Sequence, residues 1–205
     1  THSGTTVDKI FVGGIVGYSF GRDSTNQVYV QNCLNYGTIT HSGTKSWNLY
    51  RGGIFGGAYR VTNNIVNSVS SGKIISKETG YIGSIVGYAD FSGTATINRC
   101  YWSSDVGNYS IFGYGRPTID NETSQIEINT TAIDNLNTWA TNNTWDKWFM
   151  LHLNGGRING FNQTSLIVTQ KHFPDPVKEG NTFLFWCLDT NCNEKYDPKT
   201  TDITK

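Results

Sequence analysis

Val12-Gly13-Gly14-Ile15-Val16-Gly17-Tyr18 is the stretch that decides the fold, because the chain writes it three times. It returns as Arg51-Gly52-Gly53-Ile54-Phe55-Gly56-Gly57 and again as Ile82-Gly83-Ser84-Ile85-Val86-Gly87-Tyr88. Each copy leads through a Ser/Thr/Asn-rich loop into a second apolar-alternating segment, at residues 28–39, 62–74 and 95–105. Another marker, Thr1-His2-Ser3-Gly4-Thr5, is repeated word for word as Thr40-His41-Ser42-Gly43-Thr44. The intervals, 39 residues from Val12 to Arg51 and 31 from Arg51 to Ile82, suit a repeat architecture. A unit of this kind cannot bury its apolar face alone and must stack on its neighbours. β-Branched and aromatic residues alternate with polar ones, which favours strands. Glycines flank every apolar pair, as sharp corners and close backbone approach require.

These copies resemble the GLUG-motif repeats of large surface and secreted proteins, over roughly residues 1–107. The resemblance implies a β-helix-like solenoid on extracellular adhesins and on some secreted proteases, where the repeats are accessory. It implies no catalytic residue.

Composition narrows the function classes. Aromatic residues make up 13% and charged residues only 16% of the 205-residue chain, enough apolar material for a core. The formal net charge is zero, which argues against a nucleic-acid or anionic-membrane surface, since both need concentrated Lys and Arg. No apolar run reaches the ~18–20 residues of a membrane span. No signal peptide is visible and Thr1 falls within a repeat, so the chain is expected to belong to something longer. Five N-glycosylation acceptors, Asn108, Asn121, Asn129, Asn142 and Asn162, all lie between 108 and 164 and outside the repeats. That clustering favours a secreted glycoprotein over chance occurrence in an Asn/Ser/Thr-rich chain.

Beyond the repeats the pattern changes. Gly113-Tyr114-Gly115-Arg116-Pro117 is a turn cluster. In the segment 131–141, Ile133, Leu136, Trp139 and Ala140 stand at helical spacing. This helix, with Trp139, Trp145 and Trp148, is expected to cover an open solenoid end, which would otherwise present unpaired strand groups. The last segment runs Leu151-His152-Leu153-Asn154-Gly155-Gly156, a strand at Ser165–Thr169, Pro174-Asp175-Pro176, Glu179-Gly180 before Phe183 and Trp186, and Tyr196-Asp197-Pro198. It resembles the internalin B-type (Listeria–Bacteroides) repeat over about 149–205, which implies a small β-grasp-like spacer or adhesive module. Two departures stand out. Phe185 occupies the place before the Trp where the family commonly has Gly, and the family's closing Leu-Tyr-Ala-x-Trp strand is absent.

Tests for chemistry return little. Cys33 and Cys100 hold equivalent places in copies one and three, with Ser68 between them. Two tiers separate equivalent residues by at least ~9.6 Å, whereas a disulfide needs Cα atoms within ~7 Å. They are expected to be unbonded. Cys187 and Cys192 bracket a polar hairpin and could close it. Four dispersed cysteines without a histidine at ligand spacing give no zinc site. Asp189, Asn191, Asn193 and Asp197 look like the start of a Ca²⁺ loop, but the Gly and Glu an EF-hand needs are missing. His2, His41, His152 and His172 fall in separate segments, and the solenoid acids Asp8, Asp23, Glu78, Asp90 and Asp105 form no facing pair. Gly13-Gly14 and its copies lack the Lys-Ser/Thr of a phosphate loop. Trp47, Tyr50, Trp102, Trp139, Trp145 and Trp148 could include stacking platforms for carbohydrate.

The sequence therefore predicts an all-β chain: GLUG-like β-solenoid repeats over 1–117, a capping segment with a short helix over 118–148, and an internalin-type β module over 149–205. Its expected role is that of a non-enzymatic structural or adhesion module, extracellular or at the cell surface, without cofactor, metal, nucleic-acid partner or membrane insertion. Expected partners are neighbouring copies, with head-to-tail filament assembly, or other domains of a longer chain. The competing reading is an adhesin for a glycan or host surface ligand, with an accessory domain of a secreted hydrolase behind it.

Overall fold

The computed structural model describes residues 9–23, 25–41, 48–76, 80–89, 95–125, 130–145, 147–152 and 165–169, together with Thr182, Leu184, Trp186, Cys187, Asn191, Asn193, Lys195 and Tyr196. The chain divides into two compact units, Thr1–Glu127 and Ile128–Lys205. It is mostly β-strand, as expected, with parallel sheets and one α-helix among the described residues.

The first unit is built in four tiers. Tier one contains β1 (Ile10–Gly13), β2 (Val16–Phe20), β3 (Gln27–Gln31), β4 (Leu34–Asn35) and β5 (Ile39–His41). Tier two repeats the set as β6 (Leu49–Gly52), β7 (Phe55–Tyr59), β8 (Thr62–Val66), β9 (Val69–Ser70) and β10 (Ile74–Ser76). Tier three has β11 (Tyr81–Gly83), β12 (Val86–Ala89), β13 (Ala95–Asn98) and β14 (Tyr101–Trp102), then a 3-10 turn at Ser104–Val106. A fourth tier, which the three sequence copies do not announce, follows as β15 (Phe112–Tyr114), β16 (Thr118–Ile119) and β17 (Ser124–Gln125). Its strands run past residue 117 to Gln125.

Corresponding strands of successive tiers pair in parallel, giving the sheets β1-β6-β11, β2-β7-β12-β15, β3-β8-β13-β16, β4-β9-β14-β17 and β5-β10. The register is that of the sequence copies: Val12 lies beside Arg51 and Arg51 beside Ile82, while Gly13, Gly52 and Gly83 form the next column. Because side chains alternate across a strand, a one-residue slip would turn every core residue outward. The columns Val16–Phe55–Val86–Phe112 and Val30–Ile65–Ile97–Ile119 fill the interior with apolar side chains. Fully burying Ile65 or Ile97 contributes roughly 1.5–3 kcal/mol each. Tier two, which has neighbours on both sides, is buried along nearly its whole length, including Arg51. Burial pulls the Arg51 guanidinium below its ordinary pKa, with Tyr109 opposing the shift.

The repeated glycines set a diagonal contact between the first two sheets. A Cβ on Gly52 would meet the Phe55 carbonyl oxygen and sit 2.5 Å from the amide nitrogen of Gly87, one tier on. On Gly87 it would lie 2.7 Å from the Arg51 nitrogen, one tier back. The first strand of each tier therefore packs on the second strand of the following tier, backbone against backbone. Only glycine allows that approach.

The corner before the fourth sheet repeats too. Asn32, Asn67 and Arg99 all take left-handed backbone, at φ of 52°, 48° and 50°. The next position is a column of small polar residues, Cys33, Ser68, Cys100 and Thr123. The Cys33 N–H donates to Ser68 Oγ and the Cys100 N–H to Thr123 Oγ1, both at 3.1 Å. Ser68 Oγ in turn donates to the Val66 carbonyl at 2.9 Å. The Ser68 and Thr123 hydroxyls thus satisfy a backbone N–H of the adjoining tier.

In the second unit, α1 (Thr130–Asn142) covers the segment whose periodicity predicts a helix. Its buried stripe is Ala132, Leu136 and Ala140, spaced i, i+4, i+8, with Ile133 and Trp139 half-buried beside it. Asn137 ties the helix to the next strand, β18 (Trp148–His152). Its Oδ1 accepts the Trp148 N–H at 2.6 Å and its Nδ2 donates to the Trp148 carbonyl at 3.0 Å. Two antiparallel pairs follow, β18 with β19 (Ser165–Thr169) and β20 (Trp186–Cys187) with β21 (Lys195–Tyr196). Most of the segment carrying the internalin-type resemblance lies outside the described residues.

Candidate functional site

The most distinctive surface of the first unit grows from the aromatic residues that flank the glycine motif. Phe11, Tyr50 and Tyr81 stand one residue before Val12, Arg51 and Ile82, so parallel pairing brings them into one column. Tyr18, Tyr88 and Tyr114 stand at the matching position of the second sheet, where tier two has Gly57 instead. The diagonal packing then interleaves the columns. Tyr50 meets Tyr88 at 4.6 Å between centroids, and Tyr81 meets Tyr114 at 4.8 Å. Phe11 occupies the space that a side chain on Gly57 would need.

Six rings form one continuous strip. Tyr50 has Phe11 and Tyr81 stacked on it at 5.2 Å each, and Tyr88 and Tyr114 stack at 5.7 Å with nearly parallel planes. Phe11 and Tyr18 close the run at 4.3 Å. The middle of the strip is buried, Tyr50 being 5% and Tyr88 7% exposed, while Tyr18 is 44% and Tyr81 and Tyr114 are 37% exposed. Burial raises the Tyr50 phenol above its ordinary pKa, and Tyr81 and Tyr114 add to the shift. Lys9 lies 5.6 Å from the Tyr88 centroid and 5.9 Å from that of Tyr59, where a cation is attracted to the ring quadrupole. Tyr59 also stacks on exposed Phe20 at 5.9 Å, and the Arg60 guanidinium lies 5.2 Å from it. Most ring faces in the strip are taken by neighbouring rings, so what it offers to a ligand is largely ring edge. The signal in the sequence is an aromatic one residue before each motif copy and a tyrosine closing copies one and three, although nothing in one copy shows that the two columns meet.

Acidic residues are structural where their contacts are visible. Asp120 accepts the Arg99 N–H at 3.0 Å, the Thr123 N–H at 2.9 Å and the Thr123 hydroxyl at 2.6 Å. Glu122 forms an ion pair with Arg99. Asp23 accepts from Thr25 and Asn26 within its own turn, and these hydrogen bonds lower its pKa. Asp105 is exposed in the 3-10 turn, and His41 is buried at the end of β5. Asp8, Glu78, Asp90, His2 and His172 lie outside the described residues. Among the described residues, no group of three His, Cys, Asp or Glu gathers as a metal site.

The remaining sequence candidates are scattered. Tyr50, Trp102 and Trp148 are buried, Trp139 is half-buried and Trp145 is exposed, with Trp139 and Trp145 in contact at 6.1 Å. Trp47 lies outside the described residues. Asn108, Asn121 and Asn142 are exposed, while Asn129 and Asn162 lie outside the described residues. Cys33 and Cys100 are free thiols, as the tier spacing requires. Cys187 is disulfide-bonded, and Cys192 lies outside the described residues. Asn191 and Asn193 are exposed at the hairpin; Asp189 and Asp197 lie outside the described residues. No described helix is long and apolar enough to cross a membrane. No family model, curated protein or solved structure matches this chain.

Proposed function

We propose that the first unit is a β-solenoid of GLUG-like repeats, and that the chain is a non-enzymatic structural or adhesion module of an extracellular or cell-surface protein. The observation that carries this reading is the in-register stacking of four tiers on apolar columns and small polar ladders. Such a stack gains stiffness by repetition, since each tier buries its neighbour's faces. In this reading the described polar clusters serve the corners of the fold, and the chain's partners are further copies or neighbouring domains joined end to end. Negative-stain electron microscopy of the native material tests it. Regular fibres with an axial repeat of one chain support a structural polymer, and discrete monomers rule the filament out.

The aromatic strip favours a second reading, an adhesin for a glycan or a host protein. Sugar stacking needs open ring faces, whereas here Tyr50 is covered on both sides. The structural reading therefore stands first. A glycan array separates the two: binding lost on Tyr18→Ala, with the fold intact, would reverse their order.

A further inference from the structure

We infer that Tyr81 and Tyr114 are a site of oxidative tyrosine coupling, forming a dityrosine bridge between the third and fourth tiers. Their centroids lie 4.8 Å apart with planes inclined at 61°. That is close to the separation of two directly bonded rings, and the edge-on approach turns the carbons of one ring, not its face, towards the other. The near-parallel pairs, Tyr50–Tyr81 and Tyr88–Tyr114, would have to rotate before a bond could form. Tyr50–Tyr88 is also inclined, at 55°, but both rings are buried. Tyr81 and Tyr114 are each 37% exposed, so an oxidant in solution can reach both.

The place in the fold gives the bridge a consequence. β11 and β15 belong to different sheets, and no hydrogen-bonded ladder joins them. They meet through the diagonal contact, where a Cβ on Gly83 would lie 2.7 Å from the Gly113 nitrogen. Among the described residues β15 is also the last strand of its sheet. A covalent bond from Tyr81 to Tyr114 would tie the third and fourth tiers across a contact that no ladder spans.

The chemistry requires a one-electron oxidant, such as a haem peroxidase with hydrogen peroxide. Each phenol gives up one electron and its hydroxyl proton. The two radicals join through ortho carbons, and on rearomatisation each ortho hydrogen moves to its own phenolic oxygen. Overall two electrons and two protons leave the protein, and they reduce one peroxide to two waters.

The full chain is treated at low concentration with horseradish peroxidase and hydrogen peroxide, then digested and mapped by mass spectrometry. The expected product is a monomer lighter by two hydrogens, with the Tyr81 and Tyr114 peptides joined and dityrosine fluorescence present. Tyr114→Phe and Tyr81→Phe, which preserve ring packing, should each abolish that bridge. A photochemical ruthenium oxidant, which needs no enzyme docking, serves as a second arm. Coupling only between molecules, for instance through exposed Tyr29, or at another pair within the strip, would overturn the assignment, as would no coupling with either oxidant.

Discussion

The glycines of the repeat are fixed by what their neighbours leave no room for. Gly52 faces the Phe55 carbonyl and the Gly87 backbone, neither of which is the flexible end of a side chain. Gly52→Ala should therefore destabilise the first unit by about 1–3 kcal/mol or more, the range for overpacked cores, read from the shift in urea midpoint. A midpoint unchanged within error would mean that the two sheets stand further apart than described. Cys100 yields a second prediction. Burial pushes its thiol from an ordinary value of 9.0 up to about 12, and the Tyr101 phenol beside it from 10.0 up to about 12, again chiefly through burial. Above pH 9 the unfolded chain releases the thiol proton while the folded chain keeps it. The folded state then binds more protons, so stability falls as pH rises, by about 1.4 kcal/mol per unit for each such group. The contribution is fully present below pH 9 and is lost towards pH 12. Cys100→Ser, which places a hydroxyl where tier two already has Ser68, should flatten the decline between pH 9 and 10. Half-buried Cys33, shifted the same way, and Tyr101 keep the remainder. An unaltered alkaline profile in that variant would rule out Cys100 as a source.

At the scale of the element, the left-handed corners show where the repeat is imperfect. Asn67 Nδ2 donates to Asn32 Oδ1 at 2.8 Å, the start of an amide ladder, and Arg99 interrupts it in tier three. Left-handed backbone costs an ordinary residue roughly 1–2 kcal/mol, and asparagine adopts it far more readily. The Arg99–Glu122 ion pair offers little in exchange, since its side chains are 36% and 52% exposed, and such pairs contribute about 0–1 kcal/mol. Arg99→Asn should stabilise the unit by about 0.5–1 kcal/mol in chemical denaturation. A loss of stability would show that the ion pair outweighs the backbone strain. These corners also mark what could be read from the sequence. Three tiers were legible because Gly-Gly-Ile, or Gly-Ser-Ile in the third, recurs, and the equivalence of Cys33, Ser68 and Cys100 fixed their register. The fourth, Ser110-Ile111-Phe112-Gly113-Tyr114, matches Ser84-Ile85-Val86-Gly87-Tyr88 residue for residue except at one position. It is less legible because Tyr109 stands before its Ser-Ile where copy three has Gly83. The structure explains why: the first glycine of a motif makes room for the following tier, and tier four has no described tier after it. The aromatic strip was hidden for another reason, since its contacts run diagonally between tiers and not along one copy. In the second unit the helix was legible, and its buried stripe is Ala132, Leu136 and Ala140, at i, i+4 and i+8.

Over the whole molecule, the contrast between tiers one and two bears on association. β7 and β8 are largely buried, whereas their tier-one counterparts β2 and β3, Val30 apart, are half-buried or exposed and are the last strands of their sheets among the described residues. Large apolar side chains left exposed include Ile15, Tyr18, Phe20 and Tyr29, all from tier one. Natural sheet edges are commonly protected by charge, proline or bulges, because an open edge recruits other strands. Val16–Phe20 and Gln27–Gln31 contain no charged residue and no proline. They also present the register by which every internal tier recognises its neighbour, so a second copy can add strands there in the same pattern. Lysine is the natural guard of such an edge. Tyr29→Lys, at a site 59% exposed, should leave the melting profile of the isolated chain nearly unchanged and reduce its self-association at least severalfold in sedimentation velocity. Ile75→Lys, at an exposed position of β10 in the same unit but away from this edge, is the matched control and should associate as the parent does. Equal weakening by both would point to a general charge effect. A parent chain that stays monomeric at every accessible concentration would leave edge pairing without support and move the adhesin reading to the front.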